Sequence, residues 1–257
     1  MRAIKFMAAV IAVVCTGPVL AQVFVQESFE SRVAGTKIGD FGAGWNSTTG
    51  FFTVGDQAGL AASGNRYLDA PSRFGAGDLR RFAWFDASAA FNTRNPGNDV
   101  IVETVKMFIP DVKSSTYGGM IMYDQLGNPV AVIGVDMLLG TTLTDATSGV
   151  NNIAVRIGQY NDIGLFANYD TGFVTYRFNG ADIGSSFMTA ASRAAGFGDF
   201  DFYNNGSDAK VSVGFRYDDY SVMAVPEPAT VSLFGLGLAT LAALRRRRRG
   251  YSDAGRR

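Results

Sequence analysis

The stretch Asp99–Pro110, which reads DVIVETVKMFIP, decides the fold class of this chain. It is rich in β-branched residues, which favour strands. Apolar side chains recur at odd-numbered positions of the stretch: Ile101, Val105, Met107 and Ile109. Because successive side chains of a strand point to opposite faces, a period of two predicts a strand with one face buried in a core.

The same alternation continues towards the C-terminus. Phe200 and Phe202 alternate with Asp199 and Asp201, which predicts a strand with one apolar and one solvated face. Beyond the turn-like segment Asn204–Ser207, apolar side chains again occupy every second position: Val211, Val213, Phe215 and Tyr217. The two segments are therefore predicted to be the last pair of strands.

Short apolar segments separated by Gly, Asn and Asp fill the region between. Strands are predicted at Met120–Tyr123, Val130–Met137, Ile153–Tyr160, Leu165–Tyr169 and Phe173–Phe178. The turn-rich Asp124–Pro129 joins the first two of them as a hairpin. Ser186–Ala195 is predicted to be a short helix with a serine cap and Gly196 at its end. Many short strands and little helix predict an all-β fold, an antiparallel β-sandwich.

The residue types that carry most enzyme chemistry are scarce. The 257 residues include no histidine and one cysteine, Cys15, which lies in the first apolar run. Without imidazole or a second thiol, Ser-His-Asp catalysis, Cys-His catalysis and most zinc or copper sites are excluded. The basic residues concentrate at the two ends and leave the body acidic, which argues against nucleic acid as a partner.

The N-terminus has the order of a secretory signal peptide. Arg2 and Lys5 precede the apolar run Phe6–Val14, and Ala21 is a small residue at the expected cleavage position. Residues 1–21 are therefore predicted to be a signal helix that directs export through the Sec translocon, with signal peptidase cutting after Ala21. The alternative is an uncleaved N-terminal anchor, for which the apolar run is short.

The C-terminus combines three segments in a fixed order. The segment Val225, Pro226, Glu227 and Pro228 comes first, the apolar run Ala229–Leu244 follows, and five arginines end the pattern: Arg245, Arg246, Arg247, Arg248 and Arg249. A helix over the apolar run rises about 24 Å, which is short for a hydrocarbon core of about 30 Å. The arginines favour the cytoplasmic side. A marginal transmembrane helix is predicted, a transient inner-membrane anchor with the body in the periplasm and residues 250–257 as a short cytoplasmic tail.

This pattern resembles a PEP-CTERM sorting signal over Val225–Arg249. The resemblance implies recognition and cleavage by an exosortase, an integral membrane enzyme of bacteria that make exopolysaccharide, with Pro226, Glu227 and Pro228 as the recognition triplet. It also implies that the protein ends at the cell surface or in the extracellular matrix of a biofilm. The alternative is an ordinary C-terminal anchor that carries Pro-Glu-Pro by chance.

The body, residues 22–224, is similar to the concanavalin-A-like jelly-roll superfamily. The similarity lies in Glu27–Glu30, which opens the body, and in Phe215–Val222, which closes it. It implies that the opening strand pairs with the closing strand. The superfamily includes lectins, laminin-G-like modules and glucanases, so the fold leaves the function open. Three functions remain: association with exopolysaccharide, self-association as a structural surface protein without a ligand, and cleavage of a polysaccharide.

Catalysis is the weakest of the three. Glucanases of this superfamily carry paired glutamates two or four residues apart on one strand, whereas Glu27, Glu30 and Glu103 form no such pair. The chain is therefore predicted not to be an enzyme. Among aspartates, Asp199 and Asp201 share a strand face and are the alternative pair.

Calcium is the metal that the composition allows, because it binds oxygen ligands alone. The candidate ligands are acidic residues near predicted turns: Asp199, Asp201, Asp208, Asp218 and Asp219. Turn geometry alone also explains such residues. Aromatic side chains are candidates to stack on sugar rings, with core packing as the alternative. They are Trp45, Trp84, Tyr117, Tyr160, Tyr169 and Tyr203.

Overall fold

A computed structural model describes residues 20–48, 52–70, 80–112, 116–149, 152–206 and 214–227. Most of the predicted signal helix, Asp208, the predicted transmembrane segment Ala229–Leu244 and Arg245–Arg249 lie outside these residues. Within the described ranges, no helix is both long and apolar enough to cross a membrane.

The body is built almost entirely from strands. In chain order they are β1 (Gln22–Glu27), β2 (Trp45–Ser47), β3 (Thr53–Gly55), β4 (Tyr67–Ala70), β5 (Arg80–Asp86), β6 (Val100–Ile109), β7 (Thr116–Asp124), β8 (Pro129–Asp136), β9 (Thr141–Thr144), β10 (Ser148–Gly149), β11 (Gln159–Asn168), β12 (Phe173–Phe178), β13 (Ala181–Phe187), β14 (Phe197–Gly206) and β15 (Phe215–Val225). The helices are α1 (Ser88–Asn92), α2 (Ala190–Ala195) and a 3₁₀ turn at Ile38–Asp40.

The strands form two antiparallel sheets that pack face to face. The larger sheet has the order β10-β13-β12-β11-β6-β15-β4-β3, and β1 also pairs with β15. The smaller sheet has the order β2-β5-β14-β7-β8-β9. This arrangement confirms the predicted antiparallel β-sandwich. The hairpin predicted around Asp124–Pro129 is the β7–β8 pair.

The strand that suggested the fold lies in the middle of the larger sheet. β6 pairs with β11 on one side and with β15 on the other. Its odd-numbered side chains are buried and its even-numbered ones are half-buried, as the alternation predicts. The opening strand also pairs with the closing strand, with Glu27 opposite Tyr220 and Gln22 opposite Ala224. This pairing is the one that the jelly-roll resemblance implies.

A bulge in β15 shapes the core. The register of β15 against β6 shifts between Asp218 and Ser221, and Asp219 has a positive φ of 49°. Because side chains alternate along a regular strand, Tyr217 and Tyr220 would face opposite ways without the inserted residue. With it, both rings are buried and pack on Phe202, at centroid distances of 4.8 and 4.9 Å.

The carboxylate of Asp218 fixes the loop that precedes β4. Its Oδ2 accepts hydrogen bonds from the backbone N–H groups of Ala62 (2.8 Å) and Ser63 (3.0 Å). Its Oδ1 accepts from the N–H of Asp219 at 2.8 Å. The Ser63 hydroxyl in turn donates to Asp219 Oδ1 at 2.7 Å. The two aspartates that were candidate calcium ligands therefore hold this loop against β15.

Two predicted elements are wrong in extent. Ile153–Tyr160 is predicted as a strand, but β11 begins only at Gln159, because the side chain of Asn161 closes the preceding segment as a loop by bonding to Arg156. The helix predicted from Ser186 begins at Ala190. Ser186 belongs instead to β13, where its hydroxyl bonds to the buried Tyr176 hydroxyl at 2.8 Å.

The observed ends of α2 and β14 agree only in part with the predicted ones. Thr189, rather than a serine, caps α2 by accepting a hydrogen bond from the N–H of Ser192, and Gly196 ends the helix as predicted. The segment Asn204–Ser207 is predicted as a turn, yet β14 continues to Gly206, because its last residues pair with β5 and β7.

A carboxyl group without a hydrogen-bond partner is buried in the core. Glu103 lies on the inward face of β6 and is fully buried, and neither of its carboxyl oxygens has a hydrogen-bond partner among the described residues. Burial, and to a smaller extent the charge of Asp201, raises the pKa of Glu103 well above its ordinary value. Burial therefore favours the protonated form of Glu103 in the folded protein.

Replacing Glu103 with glutamine should make the stability of the protein less dependent on pH. The folded-state pKa of Glu103 lies above the unfolded value of about 4.3. The contribution of this group to the free energy of unfolding is therefore fully present below about pH 4.3. It is lost as pH rises towards the folded pKa, by up to about 1.4 kcal/mol per pH unit. Urea unfolding of the full-length chain should show that the stability advantage of Glu103→Gln over the wild type grows as the pH rises above about 5. A difference that stays constant with pH would contradict the assignment.

Replacing Asp218 with alanine should destabilise the protein, whether or not calcium is present. The loss of the carboxylate leaves the N–H groups of Ala62 and Ser63 without their acceptor, so we expect the free energy of unfolding to fall by about 3 kcal/mol. The exposed control Asp182→Ala should change it by less than about 0.5 kcal/mol. Urea unfolding with and without EDTA measures both. If EDTA lowers the stability of the wild type but leaves that of Asp218→Ala unchanged, Asp218 is a metal ligand instead.

Candidate functional site

The outer face of the smaller sheet brings together side chains from three neighbouring strands. In β14, Phe200 and Phe202 face the core, so Asp199, Asp201 and Tyr203 face outward. Residues opposite one another in paired strands share a face. Asp201 lies opposite Trp84 in β5, Tyr203 lies opposite Phe82, and Asp199 lies opposite Tyr123 in β7: these pairs form the outer surface.

A cleft of about 260 Å³ opens on this face, and we call it the aromatic cleft. Its lining residues are Thr48, Phe82, Trp84, Tyr123, Gly127, Asp199 and Asp201. A second cavity of about 180 Å³ shares Phe82 and Tyr123 with it and continues along the sheet towards Tyr203. The three aromatic side chains of the cleft are half-buried, so parts of their rings remain accessible.

Backbone contacts hold both ends of the aromatic cleft. At one end, the Thr48 hydroxyl accepts a hydrogen bond from the N–H of Phe82 at 3.2 Å. At the other end, Asp124 Oδ1 accepts from the N–H groups of Leu126 and Asn128, both at 2.9 Å, and fixes the β7–β8 turn that contains Gly127. Burial opposes ionisation of Asp124, but the hydrogen bonds from Asn128 outweigh it and lower the pKa of this carboxyl.

The two aspartates of the cleft have different charge states. Burial, followed by the charge of Asp199, raises the pKa of Asp201 to about 8. Burial, followed by Asp86 and Asp124, raises the pKa of Asp199 to about 6. At pH 7 the cleft therefore presents a mostly protonated carboxyl beside a mostly ionised one. The prediction of a solvated face is wrong for Asp201, which is only 8% exposed because neighbouring strands and aromatic side chains surround it.

Tyr203 is buried although it faces outward. A side chain at Gly134 in β8 would collide with the Tyr203 hydroxyl, so the glycine makes room for the ring to lie across the sheet. Only 6% of Tyr203 is exposed, and its hydroxyl has no hydrogen-bond partner among the described residues. Tyr203 therefore forms the floor of the second cavity.

The candidate metal ligands do not come together. Asp199 and Asp201 lie on the smaller sheet, Asp218 and Asp219 lie on the larger one, and Asp208 is outside the described residues. In the part of the chain that the structure describes, no three acidic residues are grouped so that they could hold a metal ion. Calcium binding by the first pair together with Asp208 stays a prediction.

The candidate sugar-stacking residues also separate into two groups. Trp45 and Tyr169 are buried in the core, where they pack on Phe202 and Phe91, respectively. Tyr160 packs on Phe108 on the larger sheet and donates its hydroxyl to the Leu60 carbonyl at 2.6 Å. The outward group on the smaller sheet is Trp84, Tyr117 and Tyr203.

Phe82 and Tyr123 are not among the site residues predicted from the sequence. In β5, which reads RRFAWFD, aromatic residues occur on both faces, since Phe82 and Trp84 point outward while Phe85 packs against Trp45. Alternation alone cannot tell which of these faces is buried. The pairing of β5 with β14 is the information that decides it.

Comparison with known proteins identifies a sequence motif and a fold. A family model described as the PEP-CTERM protein-sorting motif matches residues 224–249. No curated protein matches the sequence. Among solved structures, the CBM2 module of the evolved Dit of Lactobacillus casei BL23 phage J-1 is 9% identical, with a TM-score of 0.52. The match covers 81% of this chain and 97% of that one.

Two other similar structures are a sialidase and a carbohydrate esterase. The sialidase is 9% identical with a TM-score of 0.48, and the match covers 78% of this chain. The esterase, from Shiga toxin-encoding bacteriophage phi24B, is 12% identical with a TM-score of 0.47, over 75% of this chain and 98% of that one. The chain spans 18% of that sialidase and 25% of a Trypanosoma rangeli sialidase.

At these identities the structural likeness concerns the fold alone, a β-sandwich. The motif carries more information, because its match includes the triplet, the apolar run and the arginines. The chain is thus a β-sandwich that carries a PEP-CTERM protein-sorting motif at residues 224–249, which implies processing by an exosortase and marks an exported, surface-directed protein.

Proposed function

We propose that the β-sandwich body binds glycan in the aromatic cleft and thereby associates with exopolysaccharide outside the cell. The observation that carries this proposal is the combination of half-buried aromatic rings with two carboxyl groups in one concave surface. Sugar rings have apolar faces that pack on aromatic side chains, and hydroxyl groups that bond to carboxyl oxygens. The cleft supplies both kinds of contact.

The cleft also has the chemistry to fix the orientation of a sugar. Asp199, mostly ionised at pH 7, accepts hydrogen bonds, whereas Asp201, mostly protonated, also donates one. Trp84 lies directly opposite Asp201 in the sheet, so a ring stacked on the indole would lie within reach of the carboxyl groups. The second cavity extends this surface along the sheet, in keeping with a polymeric ligand.

The route to that ligand follows from the two ends of the chain. We propose export through the Sec translocon, cleavage by signal peptidase after Ala21, and a transient inner-membrane anchor over Ala229–Leu244 with the body in the periplasm. Exosortase cleavage then releases the body to the cell surface or the extracellular matrix. The match at residues 224–249 and the arginine run support this order.

We propose binding without catalysis. Glu27 is paired with Arg32 at 2.6 Å, and Glu30 accepts hydrogen bonds from the N–H groups of Asn65 and Arg66. Glu103 is sealed in the core. The three glutamates of the described body therefore have structural surroundings, and the aromatic cleft contains carboxyl groups from aspartates alone.

Self-association is the second candidate function, and one surface feature favours it. Phe187 in β13 is 71% exposed, and Phe173 in β12 is 39% exposed. Their rings pack edge to face at a centroid distance of 5.2 Å. An exposed aromatic pair is suited to contact a second copy of the chain, and this pair lies on the larger sheet, away from the aromatic cleft.

Replacing Trp84 with alanine should weaken glycan binding. We expect the affinity of the full-length chain, solubilised in detergent, for immobilised host exopolysaccharide to fall about tenfold, the equivalent of about 1.4 kcal/mol. The matched control Phe187→Ala also removes a surface aromatic side chain and should bind like the wild type. The polymer should release no new reducing ends during the incubation.

Equal retention of Trp84→Ala and wild type would contradict the assignment of the cleft. If the wild type is not retained at all but forms oligomers that Phe187→Ala abolishes, self-association replaces glycan binding as the function. If the wild type releases reducing ends and a change of Asp199 or Asp201 to asparagine stops the release, the proposal of binding without catalysis is wrong.

A further inference from the structure

The aromatic cleft is acidic as well as aromatic. Asp199 and Asp201 line it, and its described lining includes no lysine or arginine. Asp86 and Asp124 lie close enough to Asp199 to add to its electrostatic field. Asp199 therefore brings negative charge to the surface that we propose as the glycan site, and a neutral ligand would add no counter-charge to it.

Asp201 lacks a partner for its carboxyl group. It is 8% exposed, it points into the cleft, and the described residues offer it no hydrogen bond. A buried polar group without a partner costs free energy that a suitable ligand restores on binding. The ligand group that meets this carboxyl should therefore donate hydrogen bonds and preferably carry positive charge.

The aromatic walls favour the same kind of ligand. The faces of aromatic rings are electron-rich and attract cations, with tryptophan the strongest. Trp84 and Tyr123 line the cleft on opposite sides of β14, so a cation near the aspartates also lies near these rings. Partial exclusion of water by the rings strengthens an ion pair formed there.

We propose that the glycan bound by the aromatic cleft contains a hexosamine unit with a free amine, whose ammonium group lies at Asp199 and Asp201 while its ring packs on the aromatic walls. This inference rests on the proposed glycan-binding function of the cleft. The ammonium group supplies the missing counter-charge and three N–H donors. An N-acetylated unit lacks that charge, and a uronic acid would bring a second ionised carboxylate against Asp199.

A comparison of oligosaccharides tests this preference. The full-length chain is titrated with a glucosamine oligosaccharide, with the fully N-acetylated oligosaccharide of the same length, and with a glucose oligosaccharide. We expect the free amine to bind about tenfold more tightly than the other two at neutral pH. The double variant Asp199→Asn/Asp201→Asn should bind all three alike, and the control Asp182→Asn, on the larger sheet, should keep the wild-type preference.

The outcomes separate this inference from the function on which it depends. If the three sugars bind the wild type equally and Trp84→Ala weakens them all, the cleft binds glycan and the amine preference is wrong. If none of them binds, and the host polysaccharide does not bind either, both proposals fall. Urea unfolding checks that the variants fold. If the double variant does not fold, the single variant Asp199→Asn replaces it, and its sugar preference is compared with that of the wild type.

A different observation concerns the sorting motif and carries a second inference. β15 ends at Val225, which is still paired with Val100 of β6, so Pro226 and Glu227 follow the folded sheet without a linker. The side-chain amide of Asn168, at the end of β11, donates a hydrogen bond to Glu227 Oε1 at 3.0 Å. The folded body therefore contacts the central residue of the Pro-Glu-Pro triplet.

Asn168 is held in position for this contact. Its Oδ1 accepts hydrogen bonds from the N–H groups of Asp170 (2.8 Å) and Thr171 (2.9 Å) in the β11–β12 turn. Val100 pairs with Asn168 on one side and with Val225 on the other, so three adjacent strands fix the distance between the amide and the motif. The side-chain nitrogen is therefore directed to Glu227 by the fold.

We infer that Asn168 is a positioning residue that holds Glu227 against the body and slows engagement of the motif by exosortase. An enzyme that binds the triplet has to take the glutamate away from Asn168, because the carboxylate follows directly on a paired strand. The processing rate thus depends on a contact made by the folded body, which lies outside the motif itself.

The variant Asn168→Asp isolates this contact. Aspartate keeps the oxygen that accepts from Asp170 and Thr171 but replaces the donor with a group that repels Glu227. In a pulse-chase experiment with the full-length chain in an exosortase-containing host, we expect the precursor to be cleaved about threefold faster, as the loss of one hydrogen bond predicts. Asn179→Asp makes the same change in the β12–β13 turn and should leave the rate unchanged.

Two further measurements define the result. Replacement of Pro226, Glu227 and Pro228 with alanines should leave the precursor uncleaved, which shows that the assay reports exosortase processing. Urea unfolding should place the stability of Asn168→Asp within about 1 kcal/mol of the wild type, so that faster cleavage is not an effect of global unfolding. Cleavage of Asn168→Asp at or below the wild-type rate would overturn the role of Asn168.

Discussion

The pairing of β15 with its neighbours links the core, the two ends of the body and the sorting motif. This strand joins β6 on one side and both β4 and β1 on the other, so it connects the first and last segments of the body. Its bulge at Asp219 lets Tyr217 and Tyr220 both enter the core. Its end at Val225 also determines where the sorting motif leaves the sheet. Core, chain closure and presentation of the motif thus rest on one strand.

The smaller sheet shows how one strand serves both stability and a site. The even-numbered residues Phe200 and Phe202 fill the core, while Asp199 and Asp201 face the aromatic cleft. Two neighbouring carboxyl groups with raised pKa values weaken folding at neutral pH, since folding then requires proton uptake. Such a departure from local optimisation is typical of functional sites.

The sorting signal and the proposed glycan site depend on the sequence in different ways. A sorting signal is recognised as a linear segment, so its information lies in the order of a triplet, an apolar run and a basic run. A glycan site depends on side chains from separate strands, here Trp84, Tyr123 and Asp201. The bond between Asn168 and Glu227 is a direct contact between these two parts.

Features that depend on local order are predictable from the sequence: the alternating strands, the β7–β8 hairpin, the sandwich class and the sorting motif. The tertiary structure alone decided which aromatic face of β5 is exposed, that Asp201 is buried, and that Asp218 holds a loop. It also turned the segment around Asn161 into a loop and placed Ser186 in a strand. The exposed face of β5, the burial of Asp201 and the loop held by Asp218 depend on partners that are distant in sequence, so no local pattern encodes them.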